Sequence, residues 1–157
     1  MDRLIFAVIL LLLPVMAKAD QQISLPGPND IAQLAKQRAA VERFLAADSK
    51  AKYQTAVGKL GFLRALLEAK QFKKEDTHKL QCMGVILGDV FVQELGMEWI
   101  IVEDEYGRDP ALRVPKTNII IYPLTMISKR VEKGETIDVF QLFNGIAAQV
   151  DDLEKRN

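Results

Sequence analysis

The chain has 157 residues, and its 21 Lys and Arg balance 21 Asp and Glu, so the formal net charge at pH 7 is zero. This balance excludes the strongly basic surface that nucleic-acid-binding domains carry, and we expect no nucleic-acid partner. The single cysteine, Cys82, excludes an internal disulfide, and the length suits one domain with a hydrophobic core.

The first 19 residues have the pattern of a secretion signal. Arg3 supplies a positive start, Leu4–Val15 is an apolar run broken by Pro14, and Ala17-Lys18-Ala19 matches a small-residue cleavage site. We therefore expect cleavage after Ala19 and export to the periplasm or the medium. No other apolar run reaches the roughly 20 residues of a membrane span, so we expect no stable membrane insertion after signal removal.

Residues 20–28 are predicted to form an extended arm that ends at Pro26-Gly27-Pro28. Two amphipathic helices joined by the turn Ala46–Ser49 are then predicted within residues 29–72. A short join between two such helices predicts an antiparallel helical hairpin. Arg38 interrupts the apolar stripe of the first helix. The predicted stripes are Ile31, Leu34, Val41 and Leu45 in the first helix and Tyr53, Val57, Leu60, Leu63 and Leu67 in the second.

The segment Leu80–Leu95 is predicted to be the buried centre of the fold. A helix that is apolar on all sides is buried, and Asp89 is the only charged residue in this segment before its last turn. Gly84 and Gly88 lie four residues apart on one face, so we expect another backbone to approach both closely. Gly96 follows as the residue at which the helix ends.

Two strands are predicted after this helix. Met97–Val102 contains the only tryptophan, Trp99, and Asn118–Tyr122 is rich in β-branched residues. Both faces of these strands are apolar, which indicates that they are covered on both sides. We expect the two strands to pair antiparallel with each other, joined by an irregular loop over residues 103–117.

Two further helices are predicted near the end of the chain. The first covers Leu124–Glu132 and ends near Gly134. The second begins at Asp138, which is placed to cap it, with Leu142, Ile146 and Val150 as its apolar stripe. Residues 151–157 are expected to fray.

Two groups of side chains invite a chemical interpretation. His78 and Cys82 lie four residues apart on the central helix and could touch, but Cys82 occupies a core position and no third residue orients the imidazole. We therefore interpret the pair as a buried thiol beside a surface histidine.

The second group is the acidic segment Glu103–Asp109, which holds four acids. Paired carboxylates can serve as general acid and base or bind a hard cation, although the spacing does not match a calcium-binding loop. Arg108 and Arg113 could neutralise Asp104 or Asp109. A structural charge network, a binding surface and a metal or catalytic site all stay open. The candidate binding residues are Glu103, Asp104, Glu105, Tyr106, Arg108, Asp109 and Arg113, and we assign no catalytic residue, metal ligand or cofactor.

A family resemblance rests on the same part of the chain. The stretch Trp99–Arg113 resembles the core signature of a bacterial family, domain of unknown function 3806, and Asn118–Pro123 with Thr125–Arg130 resembles its second signature. The similarity extends from Leu80 to Val139. The resemblance implies no activity, substrate or catalytic residue, but it directs attention to the acidic segment.

The sequence therefore predicts one α+β domain over residues 29–157, mostly helical, with a small antiparallel sheet on a buried central helix. Its parts are the helical hairpin, a family-like core over 76–139 and a C-terminal helix over 138–157. We expect an exported soluble module that binds a protein partner in the cell envelope or another ligand, for instance as an inhibitor or immunity-type factor. The alternative is a hydrolase that uses the carboxylates of Glu103–Asp109.

Overall fold

The fold, from a computed structural model that describes residues 21–156, is α+β and mostly helical with a small antiparallel sheet, as predicted. The predicted signal, residues 1–19, lies outside the described residues. Within residues 21–156 there are six α-helices and four strands, and a 3-10 turn, Ala47–Ser49, precedes α2. The elements are β1 Gln22–Ser24, α1 Pro28–Glu42, α2 Lys50–Tyr53, α3 Ala56–Glu68, α4 Thr77–Leu95, β2 Glu98–Asp104, β3 Gly107–Arg113, β4 Ile120–Ile121, α5 Leu124–Glu132 and α6 Val139–Arg156.

Helix α4 is the centre of the core, which confirms the interpretation of its apolar sequence. It packs against α1, α3, α5 and α6. It ends at Gly96, whose φ of 62° is the left-handed conformation that favours glycine at a helix end. Its side chains with at most 1% exposure are Leu80, Met83, Val85, Ile86, Leu87, Val90 and Phe91.

The two glycines of α4 allow close approach from different neighbours. A Cβ at Gly84 would lie 2.5 Å from Leu124 Cα and 2.6 Å from the Pro123 carbonyl oxygen, so the start of α5 touches this turn of α4. A Cβ at Gly88 would lie 2.5 Å from Cζ2 of Trp99. The expected backbone approach is therefore right at Gly84, whereas an indole ring fills the space beside Gly88.

Asp89, the charge in the middle of α4, joins three elements. Its carboxylate accepts hydrogen bonds from Arg38 Nε at 2.5 Å and Arg38 Nη2 at 2.8 Å, which come from α1. It also accepts a hydrogen bond from Trp99 Nε1 of β2 at 3.2 Å. The hydrogen bonds with Asp89 raise the pKa of Arg38 further above its ordinary value. Arg38 thus interrupts the apolar stripe of α1 because its partner lies on the central helix, partly withdrawn from water.

The sheet has the order β1-β2-β3-β4 with antiparallel neighbours. The predicted pairing of residues 97–102 with 118–122 is wrong, because β3 lies between them. Residues 107–113, expected to be loop, form this strand. Proline has no N–H to donate to a neighbouring strand, but Pro110 fits within β3. The strand on that side, β4, pairs only with Leu112 and Arg113, so no strand lies beside Pro110 there.

The predicted arm is extended, but three of its residues belong to the sheet. In β1, Gln22, Ile23 and Ser24 pair with Glu103, Val102 and Ile101 of β2, respectively. β1 is therefore the edge strand beside β2, and residues 26–28 lead from it directly into α1.

The predicted helical hairpin differs from the structure in its packing. The 3-10 turn and α2 separate α1 from α3, and both of these helices pack on α4. Thr55 caps α3 through Oγ1, which accepts a hydrogen bond from the N–H of Gly58 at 3.0 Å. Tyr53, Leu60 and Leu63 of the predicted stripe are buried, whereas Val57, in the first turn of α3, is 70% exposed. In α1, Ile31 is likewise 57% exposed.

The C-terminal helices begin where their sequences predict. α5 spans the predicted residues, and Gly134 follows it with a φ of 75°. Asp138 Oδ1 accepts hydrogen bonds from the N–H groups of Phe140 at 2.9 Å and Gln141 at 3.1 Å, so it caps α6. The helix continues to Arg156, so the expected fraying from residue 151 is not seen.

Replacing Gly84 with alanine tests the contact between α4 and α5. The added methyl group would meet backbone atoms that cannot rotate away, so we expect the free energy of unfolding to fall by about 1–3 kcal/mol. Gly145→Ala in α6 is the matched control, because a Cβ there meets nothing within 4 Å. Removing a mid-helix glycine should stabilise the control by roughly 0.5–1 kcal/mol. Equal stability of the two variants in urea unfolding would contradict the contact.

Candidate functional site

The acidic segment forms the end of a β-hairpin. Asp104 pairs with Gly107 as the last pair of β2 and β3, which leaves Glu105 and Tyr106 as a two-residue turn. Asp104 Oδ1 accepts a hydrogen bond from the Tyr106 N–H at 2.8 Å, and Gly107 has a φ of 144°, which glycine adopts readily. The sequence Asp-Glu-Tyr-Gly therefore makes a tight turn and not an irregular loop.

The end of this hairpin presents an aromatic ring among carboxylates. Tyr106 is 87% exposed, the largest value among the exposed large hydrophobic side chains of residues 21–156. Glu103, Glu105 and Asp109 are exposed around it. We call Glu103–Asp109 the hairpin tip. An exposed tyrosine offers both apolar area and a hydroxyl, the combination that is enriched at protein interfaces.

Arg108 attaches the hairpin tip to the start of α1. Its guanidinium forms a bidentate pair with the Asp30 carboxylate, with Nη2 at 2.8 Å from Oδ2 and Nη1 in contact with Oδ1. Its Nε also lies 3.7 Å from Oε2 of Glu103. Asp30 Oδ2 accepts a further hydrogen bond from the Gly27 N–H at 2.8 Å. The Arg108 hydrogen bonds, and after them the Gly27 N–H, lower the pKa of Asp30 to about 2.

Arg113 forms the corresponding pair at the other end of the hairpin. Its Nη2 lies 2.6 Å and its Nε 3.1 Å from Oε1 of Glu98, the residue directly opposite on β2. The predicted pairing of Arg108 and Arg113 with Asp104 or Asp109 is thus wrong. In a strand, adjacent residues point to opposite faces, so neither arginine meets its sequence neighbour. Arg113 meets Glu98 opposite it, and Arg108 meets Asp30 of α1 and, at 3.7 Å, Glu103 opposite it.

The same alternation keeps the carboxylates of the segment apart. Glu103 and Asp104 are consecutive in β2, so they face opposite sides of the hairpin. None of the four acids lines the groove beside α3 or the cavity between residues 118–121 and the end of α6. Nor do residues 21–156 contain a group of three or more His, Cys, Asp or Glu side chains that could hold a metal ion.

The His78 and Cys82 pair has the arrangement that its spacing predicts. Sγ of Cys82 lies 3.7 Å from Nδ1 of His78. Cys82 is only 2% exposed, and burial raises the pKa of its thiol. The thiol is therefore held in its protonated form, which is the unreactive one.

The larger cavity is a groove that the sequence analysis did not anticipate. It has a volume of about 630 Å³ and lies between residues 44–46, which follow α1, and helices α2 and α3, with Phe140 of α6 at its border. Gly58, Gly61 and Ala65 place small residues along its α3 side. Small residues three and four apart lie on one face of a helix, and this spacing was the one feature of the sequence that could have pointed to the groove. It does not indicate a cavity unless the positions of the neighbouring helices are known.

No helix among residues 21–156 has both the length and the apolar character required to cross a membrane.

Comparisons with known proteins relate this chain to a family and to a solved fold. The family model described as "Domain of unknown function (DUF3806)" matches residues 59–143, more than half of the chain. The match begins in α3, earlier than the predicted start at Leu80. No curated protein matches the chain.

A crystal structure from Bacteroides thetaiotaomicron VPI-5482 is similar in fold, with a TM-score of 0.66 and 14% sequence identity. The alignment covers 83% of this chain and 48% of that one, so this chain spans about half the length of the solved structure. At this identity the similarity concerns the fold alone.

The Asp30–Arg108 pair generates a pH-dependent prediction. The pKa of Asp30 is depressed in the folded protein, so its contribution to stability is complete above the ordinary aspartate value, about 4, and is lost as the pH falls toward 2. Asp30→Asn should therefore be less stable than the unsubstituted protein at pH 7, and the difference should shrink between about pH 4 and pH 2.

The measurement is urea unfolding of both proteins across this pH range. Asp48→Asn is the matched control, because Asp48 is exposed and its carboxylate accepts a hydrogen bond from its sequence neighbour, the Ser49 hydroxyl, at 3.3 Å. At pH 7 the control should stay within about 0.5 kcal/mol of the unsubstituted protein, the usual range for a surface substitution. A stability difference between Asp30→Asn and the unsubstituted protein that is constant from pH 7 to pH 2 would contradict the assignment.

Proposed function

The chain belongs to the family described as "Domain of unknown function (DUF3806)", and we propose that it is an exported module of the cell envelope that binds a protein partner through its hairpin tip. The observation that carries the proposal is the 87% exposure of Tyr106 on a turn whose two flanking strands are fastened by ion pairs. An inhibitor or immunity-type factor is the most concrete form of such a module.

Preorganisation of the hairpin supports binding. Arg108 connects β3 to α1 through Asp30, and Arg113 connects β3 to β2 through Glu98. A recognition surface that is ordered before association loses less conformational entropy when the partner binds. The hairpin tip therefore presents Tyr106 from a defined position.

Charge indicates the kind of partner. Arg108 is paired with Asp30, which leaves Glu105 and Asp109 as exposed carboxylates of the hairpin tip that contains Tyr106. A surface with an aromatic centre and an acidic rim complements a basic patch with an apolar pocket. We infer a partner protein whose binding surface is basic.

The alternative of a carboxylate-dependent hydrolase has less support. A general acid and base must both reach one substrate, usually within a cleft that excludes water. Glu103, Glu105 and Asp109 are exposed and Asp104 is half-buried, and Glu103 and Asp104 face opposite sides of the hairpin. The exposed arrangement favours recognition of a surface over chemistry on a bound substrate.

Tyr106→Ala tests the binding surface. We expect capture of partners from an envelope extract to fall at least about tenfold, because a central exposed tyrosine is a frequent hot spot. The free energy of unfolding should stay within about 0.5 kcal/mol, since the side chain contributes little to the core. Tyr122→Ala is the matched control, because this tyrosine is 39% exposed and lies outside the hairpin. Equal capture by Tyr106→Ala and the unsubstituted protein would overturn the proposal.

Export is tested by the N-terminus of the protein isolated from cells. Arg3, the apolar run Leu4–Val15 and the Ala17-Lys18-Ala19 site motivate it. Intact-mass measurement of the protein from the envelope fraction should give a chain that begins at Asp20. A full-length chain confined to the cytoplasm would overturn the localisation while leaving the binding surface of the folded domain open to its own test.

A further inference from the structure

The groove between residues 44–46, α2 and α3 has the character of a ligand site, and we infer that it binds a small amphipathic anion, a monomeric molecule with one carboxylate and an apolar chain. The inference is independent of the hairpin tip. Its first support is size, because about 630 Å³ falls within the roughly 300–1,000 Å³ that small-molecule sites occupy.

The walls of the groove are mainly aromatic and aliphatic. Tyr53 and Phe62 meet edge to face with ring centroids 5.5 Å apart, and Phe140 closes another side. The hydroxyl of Tyr53 donates a hydrogen bond to Glu42 Oε1 at 2.8 Å, so its polar end is already satisfied. Burial and this hydrogen bond raise the pKa of Tyr53, which keeps the ring neutral. Such walls suit an apolar chain.

The polar groups at the border of the groove are mostly occupied. Thr55 Oγ1 donates to the Lys52 carbonyl at 2.8 Å and accepts from the Gly58 N–H at 3.0 Å. This leaves the two charged residues that line the groove, Lys52 and Arg64, both of which are basic.

The charge of these two residues is only weakly compensated. Within residues 21–156 no acidic side chain lies within ion-pair distance of Lys52, and Arg64 has only a 4.0 Å contact with Glu68. The Arg64 guanidinium lies 5.1 Å from the centroid of the Phe140 ring, at the border of the groove. Two cations and no lining carboxylate make the border complementary to an anionic head group.

The groove is open along α3 at Gly61. A Cβ at Gly61 would meet no atom within 4 Å, although the residue lines the groove. Glycine inside a helix costs stability relative to alanine, and here no close neighbour accounts for it. At Gly58, by contrast, a Cβ would lie 1.8 Å from the Lys52 carbonyl oxygen, so that glycine is explained by packing. Gly61 keeps the groove wide where a bound chain would lie.

The test uses dodecanoate, below its micelle concentration, as the probe in isothermal titration calorimetry with the folded chain. We expect saturable binding of one molecule per chain, with NMR shifts of the Gly58 and Gly61 amides on titration. Gly61→Leu should fill the groove and weaken binding at least about tenfold. Its thermal midpoint should not fall, because a Cβ at Gly61 meets no atom within 4 Å and the longer side chain would extend into the open groove.

Two controls separate the groove from general effects of substitution. Gly145→Leu makes the same change in α6 at a position outside the groove that is also open, and it should bind dodecanoate normally. Lys52→Gln should weaken dodecanoate about two- to fivefold, the effect of one exposed charge pair, and should leave dodecanol binding unchanged. Lys133→Gln, an exposed lysine after α5, should change neither.

Several results would overturn the inference. Absence of dodecanoate binding would do so, as would binding that Gly61→Leu leaves intact. If the protein sedimented with phosphatidylglycerol vesicles but did not bind monomeric dodecanoate, the groove would be assigned to a membrane surface instead. Concentration-dependent dimerisation that Gly61→Leu abolishes would assign it to a second copy of the chain.

Discussion

The Asp89 carboxylate joins the three parts of this fold. It accepts hydrogen bonds from Arg38 of α1 and from the indole of Trp99 of β2, while its own helix forms the centre of the core. The side chains of Arg38 and Asp89 are 27% and 19% exposed, so the pair is partly withdrawn from water. Removing one partner from a fully buried pair costs roughly 3–5 kcal/mol, and part of that penalty applies here because the remaining charge would lose its partner.

This interaction also determines how the rest of the structure is arranged. Trp99 can reach Asp89 only because Gly88 has no side chain, so the ring lies where a Cβ would otherwise be. Gly84 allows the start of α5 to approach the same helix one turn earlier. The two glycines and the aspartate therefore act together, and α4 holds the sheet, α1 and α5 at once.

Helix α1 connects the two surfaces to which we assign binding roles. Its first turn contains Asp30, which holds the hairpin tip through Arg108, and its last turn leads to Phe44 at the groove. Fifteen helical residues span about 22 Å, so the two surfaces lie at opposite ends of one rigid element. Because Arg38 fixes the middle of this helix to α4, each surface rests on the same core.

The sequence by itself determined the elements whose signals are local. The apolar circumference of α4, its end at Gly96, the bounds of α5 and the Asp138 cap of α6 follow from residues close in sequence, because helix propensity, capping and burial act within a few turns. Tertiary structure alone decided that Arg38 meets Asp89, that β3 separates β2 from β4, that Arg108 pairs with Asp30, and that three helices leave a groove beside Gly61. Each of these depends on which distant segments meet. The physical reason is that a charge or a strand edge can be satisfied by many partners, and only the packed chain selects one of them.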